Sequence, residues 1–105
     1  MATENTTDHP SGAAYVVAHI AVRDEAKWAE YRGKVGATVA AWGGELMMRG
    51  TRKAVLYGEH PYTDVVLLRF PDAQAASDWH DSPDYQALVG LRTEAADAVL
   101  VSYES

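Results

Sequence analysis

The chain contains no cysteine, which excludes disulfides, thiolate nucleophiles and cysteine-ligated zinc or iron–sulfur centres. Basic charge is scarce: nine Lys and Arg stand against 15 Asp and Glu, a net charge of −6. That balance excludes nucleic acid as an expected partner, because a duplex binder needs surplus cations to displace phosphate counterions. No apolar run approaches the ~20 residues that span a bilayer, so no membrane partner is expected. The histidines His9, His19, His60 and His80 fall in a tail, a strand, a loop and a helix. Without a tight spacing such as H-x-x-x-H, no metal site is expected. A phosphate-cradling loop is missing too, since Gly43-Gly44 follows a helix instead of opening one. No cofactor is expected.

What remains is ordinary globular material. At 105 residues, with 48% apolar and 23% charged residues, the chain has the size and composition of one domain. Residues 1–13 are poor in large apolar side chains and read as a disordered tail. They carry neither a basic start nor an apolar stretch, so the expected location is cytoplasmic. Residues 14–105 read as the single domain.

The β-branched run Tyr15–Val22 reads as a strand interrupted by His19. Asp24 offers an N-cap, and Trp28, Tyr31, Val35, Val39 and Trp42 recur at helical spacing, which predicts a helix over 25–42 closed by Gly43-Gly44. Strands are predicted over 45–49, 64–70 and 98–103, with a short extended piece at 54–57. After Pro71-Asp72, a helix carries Ala75, Ala76 and Trp79; Ser82 then caps a second start with Pro83 at its first position. Tyr85, Leu88, Leu91, Arg92 and Ala95 share one face of the helix predicted from there. The order β-α-β, β-α-β predicts a split βαβ, α+β fold: a four-stranded antiparallel sheet with its helices on one face.

Both faces of the strands are apolar. Val16, Ala18, Ile20 and Val22 alternate with Tyr15, Val17, His19 and Ala21; Val66, Leu68 and Phe70 alternate with Val65 and Leu67. Helices on one side cover one of these sets, and the other would form a larger apolar patch than monomers usually expose. The expected remedy is a homodimer through the open sheet face.

Several segments resemble the family known as domain of unknown function 1330, within the dimeric α+β barrel superfamily. They include Tyr15-Val16-Val17, Val22-Arg23-Asp24, Trp28-Ala29-Glu30-Tyr31, Gly43-Gly44-Glu45, Arg49-Gly50, Phe70-Pro71 and Trp79-His80-Asp81-Ser82-Pro83-Asp84-Tyr85. The resemblance implies a ferredoxin-like, dimeric α+β barrel. It supplies no agreed activity, since the superfamily holds cofactor-independent monooxygenases, cyclases, isomerases and proteins without a known reaction. Tyr57 and Arg69 stand where relatives carry acidic residues, which disfavours any mechanism built on those carboxylates.

Candidate catalytic residues are His19, Arg49, Arg92 and Tyr85. His19 reads either as a general base or as a hydrogen-bonded core or interface histidine. Arg49 and Arg92 suit a carboxylate or enolate oxygen, and equally a structural ion pair. Tyr85 would offer a pocket hydroxyl. Trp28, Tyr31, Trp42 and Trp79 are the expected substrate-binding walls of a mostly apolar pocket between sheet and helices. Two functions follow: a cofactor-independent enzyme of isomerase, cyclase or monooxygenase type acting on a small oxygenated metabolite, aromatic or not, or a non-catalytic small-ligand-binding or structural dimerisation module.

Overall fold

The computed structural model describes residues 12–105; the predicted tail, up to residue 11, lies outside the described residues. Four strands, β1 (Ala14–Val22), β2 (Glu45–Thr51), β3 (Asp64–Phe70) and β4 (Ala96–Glu104), form one antiparallel sheet in the order β2-β3-β1-β4. Helix α1 (Glu25–Ala40) joins β1 to β2, while α2 (Ala73–Asp81), α3 (Pro83–Gln86) and α4 (Val89–Ala95) join β3 to β4. This is the α+β, ferredoxin-like architecture. Ala13 is already buried, and its carbonyl accepts hydrogen bonds from the backbone and hydroxyl of Ser105, which ties the two ends of the domain together.

Side-chain caps set the helix starts. The Asp24 carboxylate accepts from the Lys27 N–H at 3.0 Å, and Asp72 from the Ala75 N–H at 2.7 Å. The Ser82 hydroxyl accepts from the Tyr85 N–H at 3.3 Å and donates to the Trp79 carbonyl at 2.7 Å, so the same residue closes α2 and opens α3. Helix α1 stops at Ala40, two residues short of the predicted end. The following turn passes through Gly43 at φ +75°, and the Gly44 N–H returns to the Val39 carbonyl. Gly44 also permits close packing: a Cβ there would lie 2.6 Å from both the Phe70 ring and a Val39 methyl.

Other boundaries shift as well. The helix predicted from Pro83 to Ala95 is broken around Leu88, and β4 starts two residues earlier than predicted. Residues 54–57 form no strand, because no neighbouring strand lies alongside to accept their backbone groups. Strand β2 runs to Thr51 and carries a bulge between Leu46 and Met48.

The core lies between sheet and helices. Ala14, Val16, Ala18 and Ile20 of β1, Leu68 and Phe70 of β3 and Ala96 of β4 meet Trp28, Tyr31, Val39, Ala76, Trp79, Tyr85 and Ala95. The opposite face carries Val17, Leu67 and Val101 in one row and His19, Val65 and Val99 in the next. Among the described residues no helix covers it, and Val99, Val101 and Tyr103 are 41%, 37% and 57% exposed. Among the described residues, no helix is long and apolar enough to cross a membrane.

Candidate functional site

A cavity of about 310 Å³ opens between α1 and the sheet. That is the lower end of the range for small-molecule sites, and its walls are mostly apolar. Helix α1 presents Trp28, Arg32, Val35 and Val39 at intervals of four, three and four, one helical face. Opposite them stand Val16, Ala18 and Ile20 of β1 and Val66 and Leu68 of β3, with Trp79 and Arg92 contributed by α2 and α4.

Arg49 reaches this cavity through the bulge. Leu46 pairs with Leu68 on the helix-facing side, but one extra residue then places Met48 opposite Leu67 and Arg49 opposite Val66. Regular alternation from Leu46 would have turned Arg49 to the open face; the bulge turns it inward.

The polar groups form a connected set. Arg92 Nη1 donates to the Tyr85 hydroxyl at 2.7 Å, and the Tyr85 and Tyr31 hydroxyls lie 2.9 Å apart. A guanidinium only donates, so Tyr85 accepts from it and has its own proton free for Tyr31. In that arrangement the Tyr31 hydroxyl proton is left for the cavity that Tyr31 lines. Burial raises the Tyr31 pKa well above its ordinary value, and the neighbouring Tyr85 adds to the rise while Arg92 opposes it. Tyr31 is therefore a neutral donor and not a base. Trp79 is also satisfied, its indole N–H donating to the Thr38 hydroxyl at 3.0 Å.

Among the described residues, Glu45 brings the one carboxylate to this surface. Elsewhere, Lys27 pairs with Glu94 and Lys34 with Glu30; Arg23 bonds Asp97 and the Thr93 carbonyl, and Arg69 sits 3.6 Å from Glu45. Glu45 borders the cavity, but its register places it beside Arg69 on the open side. Arg32, Arg49 and Arg92 line the cavity with no carboxylate in salt-bridge range among the described residues. In a chain with six surplus negative charges, three arginines of one mostly apolar cavity are without counter-ions among the described residues.

The predicted residues thus divide. Trp28, Tyr31, Trp79, Arg49 and Arg92 converge on the cavity. Tyr85 is fully buried behind Tyr31 and touches the site only through its hydrogen bonds. Trp42 falls beyond the end of α1 and is 39% exposed, outside the walls, because the glycine turn carries it away. His19 lies on the other side of the sheet from the cavity, with the His60 ring at 4.9 Å and the Tyr62 ring at 6.1 Å. Its Nδ1 is buried without a hydrogen-bond partner among the described residues. Arg32 went unanticipated, although its place in the α1 stripe between Trp28 and Val35 was visible. No group of three metal-ligating side chains occurs among the described residues.

Fold and site together define a ferredoxin-like α+β protein with a small cavity between its helix layer and its sheet. The match to the family described as Domain of unknown function (DUF1330) extends over residues 13–104. The chain belongs to that family. A protein of unknown function from Rhodopseudomonas palustris is similar in structure, with TM-score 0.78 and 17% identity over 98% of this chain and 89% of its own. A dimeric ferredoxin-like protein of unknown function from Jannaschia gives 0.70 and 15% over 90% of this chain and 100% of its own. SnoaB, a cofactor-independent oxygenase from Streptomyces nogalater, gives 0.67 and 10% over 90% and 94%. At these identities the likeness is one of fold. No curated protein matches the sequence.

Proposed function

We propose that this chain is a homodimer, joined through the helix-free face of its sheet, in which each protomer's cavity takes a small, mostly apolar, oxygenated molecule by an anionic oxygen. The observation that carries this reading is the trio Arg32, Arg49 and Arg92, without carboxylate partners among the described residues, with Arg92 half-buried against the apolar walls and Arg32 and Arg49 exposed beside them. The half-buried Arg92 guanidinium binds a carboxylate or enolate more strongly than one in open water. Trp28 supplies a flat wall stacked on Tyr31 at 5.1 Å, a good surface for a planar ligand. A cytoplasmic location and the lack of a cofactor belong to the same reading.

Catalysis is the second reading, favoured by the Tyr31–Tyr85–Arg92 chain. Prepositioned donors of this kind stabilise negative charge as it develops on an oxygen, the requirement shared by cofactor-free isomerisation, cyclisation and oxygen addition. Among the described residues the cavity holds no imidazole, and its one lining carboxylate, Glu45, sits beside Arg69, so in this reading the proton is acidic in the substrate. His19, separated from the cavity by the sheet, serves the interface.

Trp28 and Trp79 provide the test. Their fluorescence is titrated with phenylacetate and with phenylacetamide, which have similar shape and different charge. The acid should bind more tightly, and Arg92→Leu should weaken it by ~10-fold or more, the effect of losing one hydrogen bond to a charged group. His19→Ala should leave the affinity unchanged. Equal binding of acid and amide would refute the anion site.

A further inference from the structure

The twelve residues between β2 and β3 form an arm whose base is fixed and whose tip is bare. At the base, the Arg52 N–H donates to the Thr63 carbonyl at 2.6 Å and the Thr63 N–H to the Ile20 carbonyl at 3.0 Å. The Arg52 guanidinium holds the carbonyls of His60 and Tyr62 at 2.7 and 3.3 Å. The His60 and Tyr62 rings pack against His19, so the arm leaves the protomer from the helix-free face. At the tip, Leu56 and Tyr57 are 95% and 99% exposed.

An apolar pair almost wholly in water, on an arm secured at its base, has no role within one protomer. The area of the open face indicates its occupant. Four strands ~4.8 Å apart and about eight residues long present a face of ~500 Å². A standard interface buries ~800 Å² on each side. Leu56 and Tyr57, with a tyrosine alone worth ~200 Å², bring roughly the missing 300 Å². In a two-fold dimer both arms act at once, because a contact made by one protomer is repeated by the other.

We infer that the arm of each protomer crosses to the second copy of the chain and buries Leu56 and Tyr57 against it, clasping the sheet-to-sheet interface. This rests on the dimer proposed above, and the arm can fail while that dimer stands. Because Leu56 and Tyr57 are almost wholly exposed and bury nothing among the described residues of their own protomer, Leu56→Ser with Tyr57→Ser leaves the fold intact, which circular dichroism checks.

Sedimentation velocity over a dilution series then compares this double variant with the wild type, and the dimer dissociation constant should rise at least ~100-fold. A wild-type dimer that the double variant leaves unchanged overturns the clasp and spares the sheet interface; a wild-type monomer overturns both. Hydroxyl-radical footprinting supplies an independent readout. Tyr57 should be protected in the wild type and reactive in the Val101→Arg variant, whose sheet face carries a charge. Equal reactivity in the two overturns the clasp.

Discussion

The two faces of the sheet are made from the same kinds of residue and meet different fates. On one, Val16, Ile20 and Phe70 disappear beneath helices in which the most deeply buried polar side chains are engaged: Trp79 with Thr38, Tyr85 with Arg92 and Tyr31. On the other, Val99, Val101 and Tyr103 remain accessible and His19 keeps a ring nitrogen without a partner among the described residues. Apolarity along a strand therefore reports that a side will be covered, not by what. The covering element is set by topology, and a chain with helices enough for one side leaves the second open among its described residues, the face through which the proposed dimer forms.

The largest expected effect lies on the covered side. Phe70→Ala should cost ~3–5 kcal/mol, since the ring is fully buried and packs against both Trp79 and Gly44. Urea denaturation at two protein concentrations measures it, and the loss should be the same at both. On the open side, Val101→Arg should abolish the dimer while changing protomer stability by less than ~1 kcal/mol, because the side chain is partly exposed in the isolated protomer. Sedimentation combined with denaturation below the dissociation constant reads the two quantities separately; a protomer that unfolds would erase the contrast between the faces.

The smallest effect sharpens the polar arrangement on the covered side. Tyr31 has its pKa raised by burial, so its neutral form is the one the folded state favours. Its contribution to stability is complete below the ordinary tyrosine value of 10.0 and is lost as pH climbs above that toward the folded value. Unfolding free energy should fall there by up to ~1.4 kcal/mol per pH unit, and Tyr31→Phe should remove that component. A slope identical in the two proteins would mean that Tyr31 ionises without unfolding.

Much of this was visible before any coordinates. The alternation in β1 already separated His19 from Val16, Ala18 and Ile20, and the spacing of Trp28, Tyr31 and Val39 already marked the buried side of α1. Which side of the sheet the helices occupy is not visible in the sequence, so of the two readings of His19 the general-base one places it at a cavity that lies through the sheet from it, while the core or interface one does not need the cavity. Trp42 continued a helical spacing beyond the residue where the backbone turns away. The Arg92–Tyr85–Tyr31 chain joins residues 54 positions apart at its longest link, and no local pattern encodes such a meeting. The direction of Arg49 depended on a bulge among residues that carry no mark of one.

That bulge at Met47 makes pairing register, and not composition, the selector of what the chamber displays. Were the same residues to pair in unbroken alternation, Met48 would take the inward place and the same arginine would emerge among the valines of the opposite surface, so the chamber would lose a cation without any amino acid being exchanged. Two relatives of near-identical composition, one bulged and one regular in this strand, would differ by one charge in the lining of their cavities.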